Sequence, residues 1–253
     1  MSGLTGQVAL VTGAEVGIGR ATALALARDG ADIAVHYYSN QAGAIETVRD
    51  IKGLGRQATV FQGDLTKSAD VTRVVEAAVE RFGHVDILVN NAGGLLGRHA
   101  LVEMSEEFFH DVMNVNVLTT FLCCRAVAPG MIARRHGAIV NLTSLAAHNG
   151  GGPGASVYAA AKAAVLTLTK AYAKELAPHG IRVNAVSPGL IGGTPFHNTF
   201  TSPDAFAAAV KTIPIGRAGE PDDVAKVIAF LVGDAASFVA GETIEINGAM
   251  NMR

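Results

Sequence analysis

Residues 8–28 read Val8-Ala-Leu-Val-Thr12-Gly13-Ala14-Glu15-Val16-Gly17-Ile18-Gly19-Arg20-Ala21-Thr22-Ala23-Leu24-Ala25-Leu26-Ala27-Arg28. A short apolar run stops at a glycine-rich turn and resumes as an Ala/Leu segment with helical spacing. Glycine at 13 permits a sharp turn, while Gly17 and Gly19 let backbone N–H groups at a helix N-terminus come close to a ligand. The helix dipole puts partial positive charge there, so the ligand it favours is an anion such as a pyrophosphate. Three glycines alone are weak evidence; the strand before them and the helix after them give the pattern its meaning.

Working outward, apolar β-branched runs recur at 33–37, 58–61, 85–89, 138–142, 181–186 and 243–246, which with Val8–Thr12 makes seven predicted strands. Helical spacing fills the intervals, at 19–28, 42–52, 68–82, 105–131, 157–177 and 221–231. Near-continuous apolar strands alternating with helices predict a parallel sheet covered on both faces, an α/β fold of the Rossmann-type doubly wound kind. No linker or composition shift divides the chain, so residues 1–253 are expected to form one domain. The longest aperiodic stretch, 190–217, follows the sixth strand. Ligands in such sheets bind beyond the carboxyl ends of strands, so this stretch is the candidate substrate lid; a plain surface loop is the competing reading.

Composition narrows the partners. Hydrophobic residues make up 49% of the 253 and charged residues 17%, with a formal charge of -2, so no basic footprint for nucleic acid or an anionic membrane is present. Cys123 and Cys124 are adjacent, which suits neither an ordinary mutual disulfide nor a zinc site, and no metal is expected. With no basic-then-apolar leader and no run of about 18 apolar residues, a reduced, cytoplasmic, non-membrane setting is the expectation.

A second motif is Tyr158-Ala-Ala-Ala-Lys162, where i,i+4 spacing puts a phenol and an ammonium on one helix face. A nearby cation favours phenolate and is expected to lower the tyrosine pKa toward a range useful for acid–base chemistry. The preceding predicted strand ends in Asn141-Leu142-Thr143-Ser144. An amphipathic helix with a solvated lysine is the plain alternative.

Thr12 to Gly19, Asn90-Asn91-Ala92-Gly93, Asn114-Val115-Asn116, Ser144, Tyr158 with Lys162, and Pro188-Gly189 together resemble the short-chain dehydrogenase/reductase family over essentially the whole chain. The resemblance implies a nicotinamide cofactor and hydride transfer between it and a carbonyl or alcohol carbon. It assigns Tyr158 as general acid or base and Lys162 as its tuner and the holder of the nicotinamide ribose. Ser144 would polarise the substrate oxygen, and Asn116 would fix a water that links Lys162 to solvent. The cofactor would lie against Gly13, Gly17, Ile18 and Gly19, with Asn90, Ala92 and Gly93 on the adenosine side and Asp64 at the adenine amino group. Ile18, Pro188, Gly189 and Thr194 would meet the nicotinamide half. The loop before Tyr158 and the step from Pro188 to Thr194 are each one residue longer than in many members.

The second strand ends in Tyr37-Tyr38-Ser39-Asn40, where an NAD site would carry an acid and an NADP site a cation. Tyr37, Ser39 and Asn40 are the expected ribose contacts. With no carboxylate there to repel a phosphate, and with Ser39 and Asn40 able to donate hydrogen bonds, NADP is the expected cofactor; the lack of an arginine and the presence of Glu15 in the glycine turn argue for NAD. Within the family the chain most resembles 3-oxoacyl-carrier-protein reductases, which implies a thioester substrate, an acyl carrier protein as partner and Arg135 as part of its basic docking rim. A dehydrogenase of a small alcohol, sugar or polyol, and a non-catalytic dinucleotide sensor, are the competing functions. His99, His148 and His197 could border the substrate but are more ordinary as packing or surface residues. Helices 117–131 and 157–177 are apolar on more than one face, and in the resembling family these pack between subunits, so a homotetramer is expected.

Overall fold

Side chains of β1 (Val8–Val11) divide by parity: Ala9 and Val11 join one hydrophobic cluster and Leu10 the other. The same split recurs in β4 (Ile87–Asn90), where Ile87 and Val89 face one way and Leu88 the other. A strand with no polar face must be covered on both sides, and this is why the sequence shows runs instead of alternation. The computed structural model describes residues 3–194 and 199–252.

In chain order the elements that complete the fold are α1 (Gly17–Arg28), β2 (Asp32–Tyr37), α2 (Gln41–Gly53), β3 (Ala58–Gln62), α3 (Ser68–Phe82), α4 (Glu106–Met113) and α5 (Thr119–Arg134). They are followed by β5 (Gly137–Leu142), α6 (Ala146–Asn149), α7 (Ser156–Leu176), β6 (Ile181–Pro188), α8 (Pro203–Val210), α9 (Pro221–Val232) and β7 (Thr243–Ile246). The seven strands form one parallel sheet in the order β3-β2-β1-β4-β5-β6-β7. Leu26, Ile51 and Ile228 carry α1, α2 and α9 onto one face; Val74, Met131 and Ala173 carry α3, α5 and α7 onto the other. This is the single doubly wound domain that the strand and helix alternation predicts. The strand order reverses between β1 and β4, which opens a crevice at their carboxyl ends.

Two elements differ from expectation. The predicted helix over 105–131 is α4 and α5 joined by a π-helical turn, Asn114–Leu118, a local widening frequent at functional sites. From Glu106 to Arg134 this run is long and apolar enough to cross a membrane by length and composition, with 44% of its most apolar window buried in the protein. Its inner residues Leu122, Val127 and Met131 pack on the sheet. Within 190–217, expected to be irregular, α8 forms behind Ser202, whose hydroxyl accepts the Ala205 N–H at 3.3 Å. A bridge from Ile191 to Gly219 ties the base of this segment together.

Candidate active site

The crevice widens into a cavity of about 920 Å³ lined from the glycine turn, the ends of β2 to β6, α7 and the segment after β6. Its floor is built from backbone. The Thr12 hydroxyl accepts the N–H groups of Asn91 and Ala92 at 2.9 Å and donates to Val89. The Asn91 amide in turn donates to the carbonyls of Thr12 and Gly13 at 2.9 Å. These bonds lock β1 to β4 at the point where the order reverses. Gly13 takes φ +61°, and a Cβ on Gly19 would overlap the Gly13 carbonyl, so only glycine allows α1 to start this close to the turn.

His36 braces the turn from β2. Its Nδ1 accepts the Gly13 N–H at 3.2 Å while Nε2 lies 3.1 Å from the Gly63 carbonyl, which fixes the tautomer with the proton on Nε2. Burial pulls its pKa down to about 4, so it is neutral in this role.

At the other end of the cavity, Ser144 stands just beyond β5 and hydrogen-bonds the Tyr158 hydroxyl; its Oγ also accepts the Ala146 N–H at 3.2 Å. Tyr158 is not shifted toward phenolate. Burial pushes its pKa up to about 12, against the opposing effect of the Ser144 bond. The buried Lys162 donates from Nζ to the Leu142 carbonyl at 2.9 Å, and burial brings its pKa down to about 8. The expected lowering of the tyrosine is thus overturned by desolvation of the phenol, and the lysine is the group drawn toward neutral pH.

Asn116 sits in the π turn, fully buried, behind the cavity wall. Its amide donates to Gly94 and Val112 at 2.8 and 2.9 Å, and Oδ1 accepts the Gly94 N–H at 3.2 Å. A Cβ on Gly93 would lie 2.6 Å from Asn116 Oδ1 and 3.2 Å from Lys162 Nζ. Gly93 therefore lets the wall close onto both residues.

Of the other residues singled out from sequence, Gly17, Ile18, Asp64, Ala92, Pro188, Gly189 and Thr194 line the cavity. Asp64 accepts from Thr66 and pairs with Lys67 at 3.4 Å, which holds its carboxyl below the usual range although its own burial opposes this. The Thr194 hydroxyl donates to the Ile191 carbonyl at 3.1 Å. Asn90 lies beneath the floor, where its amide donates to Asn141 at 2.8 Å and to Cys124 Sγ.

The end of β2 departs most from expectation. Strand parity turns Tyr37 into the core, where it is 4% exposed, so it does not face the cavity. Asn40 caps α2 by accepting the Gly43 N–H, and neither it nor Ser39 lines the cavity. Tyr38 and Glu15 stand there instead. The Glu15 carboxylate accepts the N–H groups of Glu15 and Tyr38, which brings an acid from the glycine turn to the end of β2, a reach that sequence does not show. Alternation counted from the buried β2 residues would have given Tyr38 its place.

Among the histidines, His99 packs on Phe108 with ring centroids 4.2 Å apart, His148 pairs with Glu245 at 3.1 Å, and His197 lies outside the described residues. Arg135, between α5 and β5 at the amino end of that strand, donates to the Pro178 carbonyl at 3.1 Å and does not line the cavity at the carboxyl ends. Cys123 and Cys124 are buried free thiols. No cluster of potential metal ligands occurs among the described residues.

A family model described as enoyl-(acyl carrier protein) reductase matches residues 13–251. The 3-oxoacyl-[acyl-carrier-protein] reductase FabG of Staphylococcus epidermidis is 41% identical over 244 residues, 96% of this chain and 98% of the relative. The 3-oxoacyl-[acyl-carrier-protein] reductase of Synechocystis sp. is 40% identical over 253 residues, the full length of both. An uncharacterized oxidoreductase of Methylorubrum extorquens is 40% identical over 251 residues, 99% of this chain and 100% of the relative.

Proposed function

The chain belongs to the short-chain dehydrogenase/reductase family, and from that premise we propose that it reduces the keto group of 3-oxoacyl thioesters with a reduced nicotinamide cofactor. The observation that carries this reading is the Ser144–Tyr158 hydroxyl pair, backed by Lys162, on the wall of a cavity that ends in a glycine cradle. Two features suit a dinucleotide: the close approach that Gly13 and Gly19 permit, and the buried Glu15 Oε2, which lacks a hydrogen-bond partner.

When bound, the cofactor supplies the hydride that the side chains cannot. Tyr158 donates its proton to the carbonyl oxygen as negative charge gathers there, and the Ser144 hydroxyl polarises the same oxygen. A phenol with a pKa near 12 holds its proton until that charge develops. Lys162, near 8, carries an exchangeable proton at Nζ and stands ready to restore the one Tyr158 gives up, with Asn116 steadying the wall behind it. Both hydroxyls address an oxygen, which suits ketone reduction; in an enoyl reduction the proton must end on carbon.

Residues 190–217 would act as the lid, since Leu190, Ile191, Thr194 and Ala209 reach the cavity. The acyl chain would arrive on an acyl carrier protein, and the enzyme would work in the cytoplasm as a homotetramer. Purified protein assayed for loss of nicotinamide absorbance against acetoacetyl and crotonyl thioesters, simple ketones and sugars tests the substrate. The acetoacetyl thioester is expected to give the highest kcat/KM. A higher value for a sugar or small ketone would favour the polyol-type dehydrogenase, and cofactor binding with no turnover on the panel would favour a sensor.

A further inference from the structure

Glu15 occupies the glycine turn after β1, directly beside the end of β2. Its carboxylate takes two backbone N–H groups, those of Glu15 and Tyr38, yet Oε2 is buried without any hydrogen-bond partner. An unsatisfied buried acceptor is costly, so a side chain kept in this position calls for a donor. Bracing the turn accounts for the bonds Glu15 makes but not for the oxygen left over.

The charges around it are equally informative. Among the described residues the cationic side chains lining the cavity are Arg98 and Lys162. Lys162 belongs to the hydroxyl pair, and Arg98 donates to the Pro153 carbonyl at 2.9 Å, on the loop before α7. Near the glycine turn, Arg20 pairs with Asp50 and Lys67 with Asp64. The third ionisable neighbour, His36, is neutral and committed to Gly13 and Gly63. Around the end of β2 the described residues therefore present one carboxylate with an open acceptor, while Arg20 and Lys67 are already committed to carboxylates.

In a dinucleotide fold the adenosine ribose lies at the end of β2, and its 2′ substituent distinguishes the two cofactors: a hydroxyl in NAD, a phosphate in NADP. We propose that Glu15 makes this enzyme selective for NAD(H), its free carboxylate oxygen accepting a hydrogen bond from the ribose 2′-hydroxyl and repelling a 2′-phosphate. The acid comes from the glycine turn and not from the strand end, where Tyr37 faces the core. The expectation of NADP rested on a carboxylate-free strand end, and Glu15 removes that premise. This inference rests on reading the cavity as a dinucleotide site, but not on the identity of the substrate.

The test is calorimetric titration of the full chain with ADP-ribose and with 2′-phospho-ADP-ribose, which lack nicotinamide and so report the adenosine end alone. ADP-ribose is expected to bind tighter by about tenfold or more, as like-charge juxtaposition demands. Glu15→Gln, which keeps size and acceptor but loses the charge, should shrink that ratio by about fivefold or more, mainly by strengthening the phosphorylated ligand. Glu15→Ser, measured in parallel, should shrink it as well, which guards against a Gln variant that folds poorly. A ratio under about tenfold in the unmodified protein, or a ratio that both variants leave in place, overturns the role of Glu15. Failure of both ligands to bind overturns the dinucleotide reading itself, and this proposal with it.

Discussion

Lys162 holds its Nζ 5.7 Å from the ring centroid of Tyr158 while donating to the Leu142 carbonyl at 2.9 Å. The i,i+4 spacing brings the two together, but burial governs both, raising the phenol to about 12 and lowering the amine to about 8. The resting site is a protonated acid beside a partly exchangeable base, which suits a reaction that begins with proton demand at an oxygen.

Tyr158→Phe removes only the hydroxyl from a helix that still packs, so turnover should fall by about 10² to 10⁴ while cofactor affinity stays nearly unchanged. Lys162→Met should lower both, since it removes the cation and the Leu142 bond together. Steady-state rates paired with cofactor titrations separate the two variants. Wild-type turnover in Tyr158→Phe would remove the phenol from the mechanism.

Gly93→Ala tests the wall behind the lysine. Its new methyl would meet Asn116 Oδ1 at 2.6 Å and Lys162 Nζ at 3.2 Å, and neither partner is free to leave, one clamped to Gly94 and the other to Leu142. Displacing catalytic groups by a fraction of an ångström to one ångström can cost about 10² in rate. The expected result is such a loss in kcat together with a lowered melting temperature, since the overlap is relieved only by displacing Asn116 or Lys162. Full activity in this variant would show that the Lys162 position is not critical.

The sheet was legible in sequence because its central strands are buried on both faces, so runs such as Val8–Val11 and Gly137–Leu142 announced themselves, while the edge strands β3 and β7 are only partly buried. So did the turn and helix pairing at Gly13 to Gly19 and the spacing from Tyr158 to Lys162. Parity was the weak point. Tyr37 and Tyr38 look interchangeable in a row of letters, yet one is 4% and the other 62% exposed, because a one-residue step crosses the sheet. The reach of Glu15 across to Tyr38 was hidden for a different reason, since β1 and β2 become neighbours only through register. The direction of the Tyr158 shift required knowing how deeply the phenol is buried, which spacing does not encode.

Assembly is testable through the apolar residues that the fold leaves partly uncovered on α5, the π turn before it and α7. Phe121 is 37% exposed, and Leu118, Leu166 and Leu168 remain only partly buried although Leu122, Val127 and Val165 already satisfy the core. A helix covering one sheet face needs one apolar stripe, so the surplus should be buried between subunits. Light scattering on dilute protein should give a tetramer, and Leu168→Glu should yield smaller species with reduced activity. A fully active monomer in the unmodified protein would contradict the assembly.

Acid should weaken the fold through His36. The ring is 2% exposed and titrates near 4 in the folded protein, because burial disfavours the imidazolium, against the ordinary 6.5. Between those values the unfolded chain binds a proton that the folded one does not, so stability rises with pH across this window and is lost as pH falls from about 6.5 toward 4. A fully expressed shift of this size corresponds to about 3 kcal/mol, an upper limit. Protonation would also end the acceptance by Nδ1 of the Gly13 N–H and so loosen the glycine turn. Glu15, whose carboxyl burial raises, works in the opposite sense at the acid end of the window, so the signal must be isolated by difference. His36→Gln can supply an acceptor and a donor of similar reach without titrating. Chemical denaturation of both proteins at pH 7, 6, 5 and 4.5, values chosen to span roughly the ordinary range of histidine, should show the unmodified protein losing stability faster as the pH drops. Parallel curves for the two proteins would mean that His36 is not the group through which acid acts.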